Sequence, residues 1–220
     1  MKKVMNPIKV SKKAVLLLML ACPPFASVVN AGEAPTNERS LCGNPMVKLD
    51  GREVVAVGDS ILASVKPLLE FAIPGIYIDA KKSRQFKAGY QILKAMSFGG
   101  MIKSYTIVEL GSNGAISPSE LEDLIKDLSA KNTVIIFIKP YVPDNWQAQN
   151  SKLLYDTVEK YKENTFLVDW EEISKKYDDD VLMPDKVHLN QYGKHIYTAV
   201  IINAICRIKN ADSQTSHIIR

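Results

Sequence analysis

Between Glu53 and Ile208 the chain alternates short apolar runs with longer segments of helical period. Glu53–Val57 (EVVAV) is nearly all apolar and ends at Gly58, the pattern of a strand buried on both faces. Ile61–Phe71 carries apolar residues at 61, 62, 65, 68 and 69, a spacing that predicts a helix. Gly75–Ala80 predicts a second strand, and Gln85–Phe98 a helix that stops at Gly99-Gly100. Tyr105–Leu110 predicts a third strand that runs into Gly111-Ser112-Asn113-Gly114. Ser117-Pro118-Ser119-Glu120 reads as a helix start, because proline in the first turn removes an N–H that has no partner there, and that helix extends to about Ala130. Thr133–Ile138 predicts a fourth strand, Asn145–Lys162 a helix, Thr165–Asp169 a fifth strand and Asn190–Ile208 a closing helix.

Strands that are apolar on both faces and alternate with helices call for a parallel sheet covered on both sides. The predicted fold class is α/β: one three-layer α/β/α sandwich with a five-stranded parallel sheet, flavodoxin-like in its winding, over residues 51–208. Residues 32–50 are polar, with Pro35, Gly43 and Pro45, and read as an extended lead-in. Residues 209–220 are polar and read as a flexible tail. With 46% apolar and 24% charged residues, the chain is neither disordered nor fibrous.

The first 31 residues have a different character. Ala14–Cys22 is an apolar run of nine residues, preceded by lysines and followed by Pro23-Pro24. A spanning helix needs about 20 apolar residues, so the run reads as the core of a signal peptide, with cleavage after Ala31. Met19-Leu20-Ala21-Cys22 also approximates a lipobox, which makes a lipoprotein anchored at Cys22 the alternative. Charge follows this division. The chain carries 28 basic and 24 acidic residues, a net +4, but residues 1–31 hold five lysines and no acid, leaving 23 basic against 24 acidic in the remainder. The basic excess therefore points to export and not to a nucleic-acid partner. Past the leader, Cys42 and Cys206 remain. In an oxidising compartment they either bridge the lead-in to the last helix or stay as two buried thiols.

In a parallel α/β sheet, function gathers at the carboxyl ends of the strands. The first strand ends in Val57-Gly58-Asp59-Ser60 and a helix begins at once. Ser60 there is either a nucleophile beside helix N-terminal N–H groups or an ordinary helix cap. The third strand ends in Gly111-Ser112-Asn113-Gly114, where Asn113 either donates to a developing oxyanion or forms an Asn-Gly turn. Pro184-Asp185-Lys186-Val187-His188 precedes the closing helix. An Asp three residues before a His can take the Nδ1 proton and leave Nε2 facing a nucleophile. The chain has only two other histidines, His195 and His217. No Cys/His cluster suggests a metal and no glycine-rich phosphate loop follows a strand, so no cofactor is expected. A flavodoxin-like cofactor binder is set aside on the same ground, since the turn after the first strand holds one glycine.

Taken in order, Gly58-Asp59-Ser60, Gly111-Ser112-Asn113 and Asp185–His188 resemble the SGNH (GDSL-type) hydrolase superfamily over about Val54–Ile205. More narrowly, the chain resembles the extracytoplasmic SGNH domain of peptidoglycan O-acetyltransferases. The segments Tyr77–Ala80, Ser83-Arg84-Gln85, Glu109–Gly114, Val142-Pro143 with Trp146 and Asn150, Val168-Asp169-Trp170, and Asp185–Leu189 with Gly193 carry that likeness. The resemblance implies Ser60 as nucleophile, His188 as general base and later acid, and Asp185 as the residue orienting His188. It implies oxyanion donors at the Ser60 backbone N–H, the Asn113 side chain and a backbone N–H near Ser83. Two positions depart from the wider pattern: Lys82-Ser83-Arg84 stands where many members carry glycine, and Gly114 where hydrolases often carry Asp. Asp59 reads as structural, and so does Asp169-Trp170. Tyr141 and Trp146 read either as a sugar-binding rim or as packing, and Arg84 as a contact to an acidic glycan or a solvated cation. The implied function is an exported, periplasmic or secreted, serine esterase or O-acyltransferase acting on O-acetyl groups of a cell-envelope carbohydrate. Its implied partners are an acyl donor, a glycan and a membrane protein supplying acetyl groups. The rival from another class is an inactive glycan-binding or scaffold protein that kept the fold.

Overall fold

The computed structural model describes Cys42, residues 49–177 and residues 180–218, with side chains through Ala211. The predicted leader and cleavage site, the lipoprotein alternative at Cys22 and nearly all of the predicted lead-in lie outside the described residues. A 3-10 turn at Gly51–Glu53 opens the body. Five strands follow, β1 Val54–Gly58, β2 Tyr77–Ala80, β3 Tyr105–Glu109, β4 Val134–Lys139 and β5 Thr165–Asp169, between helices α1 Ser60–Ala72, α2 Phe86–Phe98, α3 Pro118–Ser129, α4 Gln147–Lys160, α5 Trp170–Tyr177 and α6 Gln191–Ile218. The strands form one parallel sheet in the order β2-β1-β3-β4-β5.

Alternate residues of each strand feed opposite cores, as the pleat requires. Val54 and Ala56 of β1, Ile107 of β3 and Ile136 and Ile138 of β4 pack with Leu62 and Leu69 of α1, Trp170 of α5, and Tyr197 and Ile201 of α6. Val55 and Val57, Val108, Ile135 and Phe137 pack on the other face with Leu93 of α2, Leu121 and Leu124 of α3, and Leu154 of α4. Burying both faces explains why the central strands read as continuous apolar runs. The three-layer sandwich expected from the sequence is the fold observed.

The boundaries differ in a few places. β2 begins at Tyr77 and not at Gly75, because Gly75 has φ +92° and belongs to the turn before it. The sequence reading contains no helix at α5. Its WEEISKKY segment has only Trp170, Ile173 and Tyr177 as apolar residues, correctly spaced for one helical face but outnumbered by charges. Trp170 supports the core as expected, with its ring edge-on to Tyr197 at a centroid distance of 4.7 Å. The closing helix, predicted to end at Ile208, continues to Ile218 through the residues that the sequence predicts as a flexible tail. Neither Gly nor Pro follows Ile208, so no stop signal interrupts it. Cys206 on this helix is bonded to Cys42, with Cα atoms 5.0 Å apart. Among the described residues, no helix is long and apolar enough to cross a membrane.

Candidate active site

Sheet register brings three loops together. At the carboxyl edge Gly58 of β1 lies opposite Ala80 of β2 on one side and Glu109 of β3 on the other. The chain leaves β1 for β2 on one flank and later returns to β3 on the opposite flank, so the crevice opens where the winding reverses. The turns after all three strands converge there.

The turn after β1 is held by side chains. Asp59, fully buried, is the N-cap of α1, and its Oδ1 accepts the Ile61 N–H at 3.0 Å. Because Asp59 caps the helix, the Ser60 hydroxyl is not the cap, and it lies 3.2 Å from His188 Nε2. Glu109 Oε2 accepts the N–H groups of Asp59 at 3.1 Å and Leu62 at 3.2 Å. The amides of residues 59, 61 and 62 thus have carboxyl partners, and among these first-turn amides that of Ser60 is left to an incoming anion. Gly58 is required by close approach: a Cβ there would stand 2.8 Å from Glu109 Oε2 and 2.6 Å from the Leu62 side chain.

His188 and Asp185 share a short closed loop. An antiparallel bridge between Leu182 and Leu189 and the Met183 N–H to His188 carbonyl bond at 2.7 Å tie its ends. Asp185 Oδ1 accepts the backbone N–H groups of Val187 at 3.0 Å and His188 at 2.9 Å, and Asp185 Oδ2 lies 2.7 Å from His188 Nδ1. The hydrogen bond from His188, with those backbone bonds, holds the Asp185 carboxyl at about 2, below its usual 3.8. The first turn of α6 anchors the loop at Gly193, where a Cβ would stand 1.9 Å from the Val181 carbonyl oxygen.

Asn113 also sits at this edge. Its Nδ2 donates to Asp59 Oδ2 at 3.1 Å and to Ser112 Oγ at 3.0 Å, and Ser112 Oγ itself donates to Asp59 Oδ2. Since those two acceptors are bonded to one another, they lie close together as seen from Nδ2 and share one of its two N–H bonds. The second is available to another acceptor. Asn150 of α4, fully buried, pins the same turn by accepting the Ile116 N–H at 2.8 Å and donating to the carbonyls of Gly111 at 3.0 Å and Gly114 at 2.9 Å. Asn113 is therefore both a turn residue and a presented donor.

The remaining residues singled out from the sequence fall in different places. Ser83 is exposed in the turn after β2 and has φ +59°, the left-handed conformation that glycine adopts at no cost. Arg84 corrects the expectation of a substrate-facing cation. Its guanidinium is buried and donates to the Gly58 carbonyl at 3.0 Å, the Asp79 carbonyl at 2.7 Å and Asp79 Oδ1 at 2.5 Å, so it clamps the β1 and β2 edges together. Tyr141 is half-buried against the core, and Trp146, also half-buried, immediately precedes α4 with an indole N–H that has no partner among the described residues. Asp169 pairs with Lys139 at 2.7 Å. Glu109 has no role in the sequence reading beyond its place in a matching segment. A lone acid closing an otherwise apolar strand is the signal that could have found it. No three His, Cys, Asp or Glu side chains among the described residues converge to hold a metal ion.

An Asp–His–Ser relay beside two N–H donors can activate a hydroxyl for attack on an ester carbonyl. Comparison with known proteins finds relatives by sequence and by fold. No family model matches the chain. The peptidoglycan O-acetyltransferase OatA of Listeria monocytogenes is 27% identical over 173 residues, covering 79% of this chain and 27% of its own. The O-acetyltransferase OatA of Staphylococcus aureus is 28% identical over 150 residues, covering 68% of this chain and 24% of its own. The chain thus spans about a quarter of the length of these curated relatives. Among solved structures, the C-terminal catalytic domain of Streptococcus pneumoniae OatA aligns with a TM-score of 0.60 at 18% identity, over 72% of this chain and 94% of that domain. A lipase/acylhydrolase from Enterococcus faecalis aligns at 0.59 with 17% identity, over 70% and 95%. A GDSL-like lipase from Bacteroides thetaiotaomicron aligns at 0.57 with 15% identity, over 72% and 89%. The chain has the fold of the SGNH (GDSL-type) hydrolases and is similar in sequence to the peptidoglycan O-acetyltransferases over about a quarter of their length.

Proposed function

We propose that this protein is a serine O-acyltransferase that moves acetyl groups on a cell-envelope carbohydrate, with peptidoglycan, the substrate in its relative's name, as the glycan. The observation that carries this reading is the unbroken run of contacts from Asp185 through His188 to Ser60, with Asn113 held at the same sheet edge. Ser60 Oγ attacks the acyl carbonyl carbon while His188 Nε2 takes its proton. The resulting oxyanion is met by the Ser60 N–H, the free Asn113 N–H and the N–H near Ser83. Collapse expels the donor alkoxide, which receives the proton back from His188, and leaves acetyl on Ser60. A sugar hydroxyl then gives its proton to His188 and attacks the acyl carbonyl carbon; collapse breaks the bond to Ser60 Oγ, which takes the proton back from His188. Tyr141 and Trp146 supply the stacking surface for the sugar ring.

A second reading has its own observation. The side chains of His188 and Asp185 are 39% and 48% exposed, so water reaches the acyl-enzyme, and the same residues run an esterase when no sugar hydroxyl is in place. Export through the basic leader fits both, and the Cys42–Cys206 pairing supports an oxidising compartment. The acetyl donor is a membrane partner's product or a soluble ester.

The test is to incubate purified mature protein with an activated acetyl ester, with and without a glycan acceptor, alongside Ser60→Ala and His188→Ala. Acetate release should fall in each variant by on the order of 10⁴-fold or more, and acetylated glycan should appear with wild type only. Equal rates in wild type and Ser60→Ala, with no labelling by a serine-directed phosphonate, would favour the inactive glycan-binding protein.

A further inference from the structure

Beneath the nucleophile turn, two acids touch. Glu109 at the end of β3 is 1% exposed and Asp59 is 0% exposed. Their carboxyls meet at the first turn of α1, where Glu109 Oε2 accepts the Asp59 N–H at 3.1 Å and Asp59 Oδ1 accepts the Ile61 N–H at 3.0 Å. The Tyr197 hydroxyl of α6, also buried, reaches Glu109. Glu109 Oε2 also accepts the backbone amides of Asp59 and Leu62. No Lys or Arg pairs with either carboxyl among the described residues.

Two touching carboxylates with no cation and no water exposure cannot both be ionised, so the pair holds a proton. Hydrogen-bond donors decide where it sits. Asp59 already receives three: the Ile61 N–H on Oδ1, and Ser112 Oγ and Asn113 Nδ2 on Oδ2. Three donors spread over both oxygens of the Asp59 carboxyl favour its ionised form, because hydrogen bonds to a carboxylate stabilise the charge. Glu109 receives two backbone amides, both on Oε2, with the Tyr197 hydroxyl also beside it; among the described residues Oε1 takes no amide and is the oxygen that carries the proton. We propose that Glu109 is a positioning residue that carries this proton, donates it to the Asp59 carboxylate and through Asp59 keeps the Asn113 amide aimed at the oxyanion. Burial, followed by the neighbouring Asp59 charge, pushes Glu109 well above the usual carboxylate range, and burial raises Asp59 too. The aiming role rests on the proposed acyl-transfer chemistry; the proton's location does not.

The experiment separates the two. Infrared difference spectra of wild type against Glu109→Gln at neutral pH should show a protonated-carboxyl carbonyl band that shifts with ¹³C-glutamate labelling and not with ¹³C-aspartate labelling. This readout needs no enzymatic activity. In acetyl-ester turnover, Glu109→Ala should lower kcat about 10²-fold, the cost of one lost oxyanion donor, with KM held within about threefold. Glu109→Gln, whose amide mimics the neutral acid, should recover most of that loss, and Asp59→Asn should not. The idea is overturned if no protonated-carboxyl band is present, if the band follows the aspartate label, or if Asp59→Asn is tolerated while Glu109→Gln is as impaired as Glu109→Ala. Should Glu109→Ala fail to fold, the spectra and the Gln and Asn variants still decide. Should wild type turn over no ester, acyl transfer fails and the spectra alone decide the proton.

Discussion

His188 Nε2 stands 3.2 Å from Ser60 Oγ, although 128 residues separate them in the chain. The imidazole is aimed from behind by Asp185, whose Oδ2 is 2.7 Å from Nδ1. Local contacts within a four-residue stretch set the ring's orientation, and only the packing of the whole sandwich brings it to the serine.

Asp185 stays ionised across the working range because His188 and two backbone amides hold its carboxyl at about 2. A depressed carboxyl stabilises the fold fully above its unfolded value of about 3.8, and that contribution disappears as pH falls through about 2. Asp185→Asn should therefore lower kcat by on the order of 10³–10⁴-fold at neutral pH, since the amide favours the wrong imidazole tautomer. Its thermal midpoint should trail wild type at neutral pH and converge with it only as pH falls through about 2. A variant that keeps full turnover would remove Asp185 from the relay.

Arg84 separates a clamp from a ligand contact. Removing a buried, paired guanidinium costs on the order of 2–4 kcal/mol, so Arg84→Met should lose thermal stability by roughly 5–15 °C. Calorimetry beside steady-state kinetics checks this. A rise in KM at unchanged Tm would restore the substrate-facing role and contradict the buried geometry.

Gly193 tests the anchor of the histidine loop. Alanine normally improves a helix by about 1 kcal/mol. At this position its Cβ would stand 1.9 Å from a backbone oxygen of Val181, so the loop must yield. Gly193→Ala should destabilise by about 2–3 kcal/mol and also depress kcat, because Val181 and His188 belong to one closed loop. A gain in Tm would show that the helix start and the loop are not in contact.

Ser83 asks whether backbone or side chain acts after β2. At φ +59° a β-branched residue is strained by about 1–2 kcal/mol, whereas glycine is not. If the backbone N–H is the donor, Ser83→Gly retains kcat within about threefold and Ser83→Val loses tenfold or more. Loss of activity in the glycine variant, measured by acetyl-ester turnover, would assign the role to the hydroxyl instead.

Fold legibility followed pattern strength. β1, β3 and β4 were plain because both faces of a central parallel strand are buried, so nearly every position is apolar. α5 was hidden because an edge helix with three apolar residues among charges carries a weak signal. In the site, Ser60, Asp185, His188 and Asn113 were legible because each lies in a short local motif at a strand or helix end. Arg84 was misread, because an arginine beside exposed Lys81 and Lys82 looks solvated until its acceptors, the carbonyls of Gly58 and Asp79, are placed around it. Nothing local marks Glu109 as a partner of Asp59, 50 positions away.

The sequence alone determined the alternation of strands and helices, the strand-end loops that carry the candidate site and the local pairing of Asp185 with His188. These depend on neighbours within a few residues, where periodicity and turn chemistry act directly. Tertiary structure decided which loops face one another, that Asp59 and not Ser60 caps α1, that Arg84 points inward, and that Asp59 and Glu109 meet in the interior. Those outcomes depend on sheet order and burial, and both arise only when distant segments pack.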